Sequence, residues 1–197
     1  MKKGWTITKL VTVGSIGALR VLVWLPFVVI SGASANPISM IFSFFFYSFI
    51  SILSMLIVRQ LGTLTLQTFV EYTLELPLPN MIFKPLVYAL AFIRSLIVDF
   101  IFQKLNKNRI STSIICGVMN SFLLSILTYI SYMIMNIPGA SQIPSSLLTP
   151  VIASVLIGVV MLLGGLGGYL GWLTYQKIKN TSVVIRIQGN EKVLDNN

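Results

Sequence analysis

The chain has 197 residues, of which 55% are apolar and 10% charged, and its mean hydropathy of +0.88 excludes an ordinary water-soluble globular domain. It has no histidine and a single cysteine, Cys116, which excludes disulfides, Cys/His metal sites and histidine acid–base chemistry, so neither a metal nor a cofactor is expected. The net charge of +9 comes from basic residues at the ends of apolar segments rather than on one water-facing surface, which argues against nucleic acid and for membrane topology.

The first apolar segment covers about 9–30 and the second about 38–58, with 31–37 (SGASANP) as the turn between them. Each meets the roughly 20 residues needed to cross a hydrocarbon core of about 30 Å at about 1.5 Å per residue. Between Gly62 and Pro77 the stretch LTLQTFVEYTLEL covers only about 21 Å. It is expected to be a short third helix that spans because neighbours bury it. A fourth segment covers about 81–102 and leads into a basic connector, 104–109. The fifth covers about 111–135, a Pro/Gly/Ser-rich loop occupies 136–144, and the sixth covers about 147–175.

The expected organisation is an all-α integral membrane protein, with a six-transmembrane-helix domain over 1–179 and a cytoplasmic tail over 180–197. In that tail VVIRI, Gly189-Asn190 and EKVL carry a hairpin signal. An isolated hairpin is marginal in water, so a flexible tail is expected.

The placement of charge tests the helix count, because cytoplasmic loops carry the Lys/Arg excess. With six spans, Lys2, Lys3, Lys9, Arg59, Lys104, Lys107, Arg109, Lys177 and Lys179 all fall on one side. The segments 31–37, 76–80 and 136–144 fall on the other and hold no Lys or Arg. Dropping the short third helix would put Arg59 and the 104–109 connector on opposite sides. Both termini are therefore expected in the cytoplasm. A rival reading takes the basic N-terminus, the apolar run 21–30 and Ala33-Ser34-Ala35 as a cleavable signal peptide. The residues before Arg20 are themselves mostly apolar, which favours a retained first helix.

Ionisable residues at membrane depth are costly and are functional candidates by default. Glu71 and Glu75 stand i, i+4 on one face of the short helix, near Lys84 at the start of the fourth. Glu71 reads either as the wall of a polar pocket or as half of a structural Glu–Lys pair, and Glu75 as an interfacial carboxylate reaching water. Arg20 and Arg94 lie deep in their helices and need partners. Asp99, five residues after Arg94, is about 140° round the helix from it, so a pair across helices is expected, with Arg20 the candidate. Small residues mark close packing: Gly14 and Ala18 in the first helix, and Gly164/Gly168 and Gly167/Gly171 in the sixth. Trp24, Tyr88, Tyr129, Tyr132 and Trp172 suit a flat ligand, although each alone reads as an interfacial aromatic.

Six short apolar helices in about 200 residues, small-xxx-small in the first and a Gly-rich last helix running into YLGWLTYQKIKN, resemble the substrate-binding S component of energy-coupling factor (ECF) vitamin transporters. The resemblance covers nearly the whole chain. IVRQLGTLTLQTFVEYTLEL resembles the hydroxymethylpyrimidine/thiamine-precursor subgroup, with Arg59, Gly62 and Glu71 at its motif positions. IRSLIVDFIFQKLNK resembles that subgroup's fourth helix, but Asp99 stands where Glu is usual and Leu61 where Pro is frequent.

The resemblance implies a pocket open to the outside, holding a vitamin-like small molecule. Its wall would include Glu71, Lys84 and the 136–145 loop, and the expected substrate-binding set adds Tyr88, Asn120, Tyr129 and Gln142. It further implies toppling in the bilayer, Gly14 and Ala18 packing on a transmembrane coupling protein, and two ATPase partners. No G-x-x-x-x-G-K-[ST] phosphate loop occurs in this chain, so ATP hydrolysis would fall to those partners. On this reading a cationic, aromatic substrate suits Glu71 and nearby rings. The alternative is a non-catalytic membrane assembly or scaffold protein, whose intramembrane charges are structural. An intramembrane enzyme lacks its parts, since neither histidine nor a Gly-x-Ser-x-Gly motif is present.

Overall fold

The computed structural model describes residues 4–34, 37–75, 84–105, 109–135 and 150–189, with helix backbone alone at 24, 27–34, 37–41, 84–87, 128–135 and 150–153. Each apolar segment forms a helix: α1 (Ile7–Ser34), α2 (Pro37–Val58), the short α3 (Thr63–Glu75), α4 (Lys84–Lys104), α5 (Ile110–Met135) and α6 (Pro150–Ile178). The turn expected over 31–37 is narrower than that: α1 continues to Ser34 and α2 begins at Pro37. A proline in the first helical position lacks only an N–H that has no intrahelical acceptor there.

The tail departs from expectation. Ser182–Gln188 is a seventh helix, α7, not a strand. Its β-branched residues favour strand locally, but helical geometry buries Val184, Ile185 and Ile187 against the bundle. Gly189, which reads as a hairpin turn, has φ 69° and closes α7 by donating its N–H to the Arg186 carbonyl, a left-handed C-cap.

Gln188 Nε2 then donates to the Leu56 and Ile57 carbonyls at 3.3 and 3.2 Å, the last turn of α2, which has no intrahelical donors left. Arg59, at φ 56°, leaves α2 and donates from Nη2 to the Tyr175 hydroxyl at 2.9 Å. Trp5 lies against Gly62. The N-terminus, the α2–α3 turn, the end of α6 and α7 thus meet at one end of the bundle.

Close packing follows the glycines. α6 lies along α5 and α2, and its two glycine faces divide between them. Gly164 and Gly168 meet Gly117, Ser113 and Ser121 of α5, while Gly167 and Gly171 meet the Phe45–Phe49 backbone and Ser48 and Ile52 of α2. A Cβ at Gly117, Gly164, Gly167 or Gly168 would run into backbone. That closeness lets Ser48 Oγ and Ser121 Oγ meet at 2.7 Å.

Polar residues share the interior with apolar ones, and many large apolar side chains face outward. Ser48, Ser51, Ser54, Thr68, Ser95, Ser113, Asn120 and Ser121 are buried, whereas Leu22, Phe46, Phe69, Ile93, Leu96, Phe100 and Leu162 are exposed. Among the described residues, Ile110–Leu127 and Ser154–Ile178 are long and apolar enough to cross a membrane, and Phe42–Val58 is a shorter apolar stretch. The apolar core, built on Ile52, Met55, Leu56, Val58, Leu64, Val98, Phe102 and Tyr175, lies toward the α7 end.

Candidate functional site

Gly17 is where α1 comes closest to α3: a Cβ there would stand 3.1 Å from the Gln67 carbonyl and from Val70. One helical turn further on, the same approach brings Arg20 against Glu71, with Nη2 and Oε2 3.0 Å apart. α2 adds Tyr47, whose hydroxyl donates to the same Glu71 oxygen at 2.9 Å. α4 adds Arg94, whose Nη2 donates to the Tyr47 hydroxyl at 2.8 Å. Four helices therefore supply one chain of contacts, Arg94 to Tyr47 to Glu71 to Arg20. The Tyr47 ring also carries both cations, with Arg20 Cζ 3.7 Å and Arg94 Cζ 5.0 Å from its centroid.

Relative exposure is 1% for Arg20, 3% for Glu71 and 1% for Arg94. A lone ion at such depth costs several kcal/mol unless paired. Arg20 and Glu71 offset one another. Arg94 does not share that relief, since its Nη2 donates to a neutral hydroxyl and its Nε and Nη1 have no hydrogen-bond partner among the described residues. Arg20 Nε and Nη1 are likewise without one. Beside this network the Tyr72 and Tyr88 rings meet with centroids 4.5 Å apart and planes tilted by 38°, and the buried Tyr88 hydroxyl has no hydrogen-bond partner among the described residues.

The expected pairing of Asp99 with Arg20 is not what forms. Asp99 accepts from the Leu64 and Thr65 backbone N–H groups at 3.1 and 3.0 Å and from the Thr65 hydroxyl at 2.8 Å. Those are first-turn donors of α3, which have no intrahelical acceptor, and a carboxylate there also opposes the helix dipole. Because α3 is short and starts beside the end of α4, Asp99 reaches its N-terminus instead of the middle of α1. Glu75 is buried, not interfacial, and has interactions of its own.

Other expected residues are dispersed. Asn120 sits between α5 and α2, its Nδ2 3.5 Å from Ser48 Oγ and its Oδ1 without a hydrogen-bond partner among the described residues. Gly14 is partly exposed with open space where a Cβ would stand, and Ala18 is half-buried. The Lys84, Trp24, Tyr129 and Tyr132 side chains and Gln142 lie outside the described residues. Sequence reasoning missed Tyr47 and Gly17. The signal for Tyr47 was present, as the lone hydroxyl-bearing ring in FSFFFYSF.

No family model matches the sequence, and no curated protein matches it. A solved crystal structure of an S-component of an ECF transporter does match in structure, at a TM-score of 0.64 and 16% identity, covering 98% of this chain and 95% of that one. The chain has the S-component fold. The fold and the apolar composition are together those of a membrane protein, and the burial pattern gains its reason: with hydrocarbon outside, apolar side chains can face outward, while small and hydroxyl-bearing residues help hold the helices together.

Proposed function

We propose that this protein is the substrate-capture subunit of an ECF-type importer. It takes a small water-soluble vitamin or precursor from outside and delivers it across the membrane with a coupling protein and ATPases. The observation that carries the reading is a likeness to an S component that extends over 98% of the chain. A buried polar network with unused donors, in a bundle otherwise closed by glycine and serine, supports it.

In this reading six spans place both termini in the cytoplasm. The gathering of Trp5, Arg59, Tyr175 and α7 at one end agrees with the charge pattern. Gly14 and Ala18, with no side chain filling the space at Gly14, face the coupling protein. Glu71, Tyr88 and Asn120 line or support the pocket, with Lys84, Tyr129 and Gln142. Glu71 does so by fixing Arg20 and Tyr47, because its Oε2 is already engaged by both. The thiamine-related assignment rests on the IVRQLGTLTLQTFVEYTLEL resemblance alone.

Thermal shift of the detergent-purified protein against a panel of water-soluble vitamins and their precursors tests the proposal. A true ligand at 100 times its Kd stabilises by about 2.7 kcal/mol, a rise of several degrees. No response across the panel, together with no ATPase recovered on purification from the native membrane, would sink it.

A further inference from the structure

We infer that the substrate carries an anionic group, a carboxylate or phosphate, received by Arg94 with Arg20 at its side. The inference rests on the substrate-capture reading and names the chemical class that the reading leaves open. Four observations support it.

The contact network of Arg20, Tyr47, Glu71 and Arg94 holds two cations and one anion. Its carboxylate is occupied, since Glu71 Oε2 has both Arg20 and the Tyr47 hydroxyl. Arg94, 99% buried, keeps Nε and Nη1 without a hydrogen-bond partner among the described residues, and Arg20 does the same. A guanidinium presents its donors as a planar fork that matches two oxygens of one carboxylate or phosphate. A single hydroxyl, which is what Arg94 has, uses only one of them.

Third, approach from the α7 end is closed by the apolar core of Ile52, Met55, Leu64 and Val98. Arg94 lies about 15 Å along α4 from Lys84, so the opposite end of the bundle is the way in. Fourth, the Tyr72 and Tyr88 rings, and the Tyr88 hydroxyl with no hydrogen-bond partner among the described residues, stand beside the network. They offer an aromatic wall and one polar contact to the remainder of such a molecule. Glu75, one turn past Glu71, is a second carboxylate acting on Arg20, so the donors left over are those of Arg94, Nε and Nη1. A cationic substrate would leave those donors unused.

The test compares matched pairs that differ at the anion: nicotinate with nicotinamide and pantothenate with panthenol for a carboxylate, pyridoxal 5′-phosphate with pyridoxal for a phosphate. Each is titrated into the full-length purified protein beside the full vitamin panel, and the best ligand is repeated on R94Q and R94K. Expected is binding by the anionic member of a pair at least about 10-fold tighter than its neutral partner. R94Q should weaken it by about 10- to 100-fold, with partial recovery in R94K. The unliganded R94Q protein should melt no lower than the parent, because it loses a buried unpaired charge.

Equal binding of charged and neutral members, preference for a cationic ligand, or an R94Q protein that melts lower yet binds as before would overturn the anion assignment and leave substrate capture standing. No binding by any compound overturns this assignment, and together with no ATPase recovered on purification it overturns substrate capture as well. Should R94Q fail to fold, the matched pairs on the unmodified protein decide the question.

Discussion

Where α6 meets α5 and α2, the buried polar groups are serine hydroxyls and backbone carbonyls, brought together by glycines that leave no space between backbones. Where α1 meets α3 and α4, they are guanidiniums and carboxylates held by long side chains. The first arrangement serves assembly, and what it leaves over among the described residues, Asn120 Oδ1 and Ser113 Oγ, is uncharged. In the second, a compensated ion pair stands beside a cation with unused donors. The contrast teaches that polarity at depth is not one signal: what sets the second region apart is that its unused donors carry charge.

Five variants would break or sharpen this contrast. Glu71→Ala strands Arg20 and should cost about 3–5 kcal/mol, read as lost monodisperse yield or a large fall in melting temperature. Replacing both Arg20 and Glu71 by Met should recover much of that loss, and a double variant as unstable as the single one would show that the two do not act as a unit. Gly164→Leu on the neutral side should cost about 3 kcal/mol by forcing α6 off Gly117 and Ser121. If that variant behaves like the parent, the glycine face is not what holds α5 and α6.

Asp99→Ala leaves three donors at the start of α3 without an acceptor and should cost about 2 kcal/mol, seen as faster amide exchange at Leu64 and Thr65. Gly14→Leu, with open space around it, should change the melting temperature by less than the equivalent of about 0.5 kcal/mol. Recovery of co-purified coupling protein from the same variant reports whether that open face is a contact.

Helices α1 to α6 were legible in the sequence as apolar segments, including the short α3, which the charge pattern favoured. The residues of the candidate network were mostly legible too, since Arg20, Glu71 and Arg94 are costly at their depth. Their partners were not. Pairing across helices depends on how each helix is rotated and on how far it starts from its neighbour, and neither quantity is local. Asp99 therefore found α3's first turn rather than Arg20. Tyr47 was hidden by its phenylalanine neighbours. α7 was misread because β-branched residues before a Gly-Asn pair give the same local pattern as a hairpin, and only burial against the bundle distinguishes them.

The clasp made by Gln188 gives the chain an order in time. α1 to α3 leave the ribosome well before residue 188 is made, so the Ile57 carbonyl waits for its Gln188 donor, whereas the Leu56 carbonyl already has Arg59 Nε at 3.2 Å. Until α7 docks, that end of the bundle lacks its last clasp. The final described turn of the protein thus certifies that everything before it has been made.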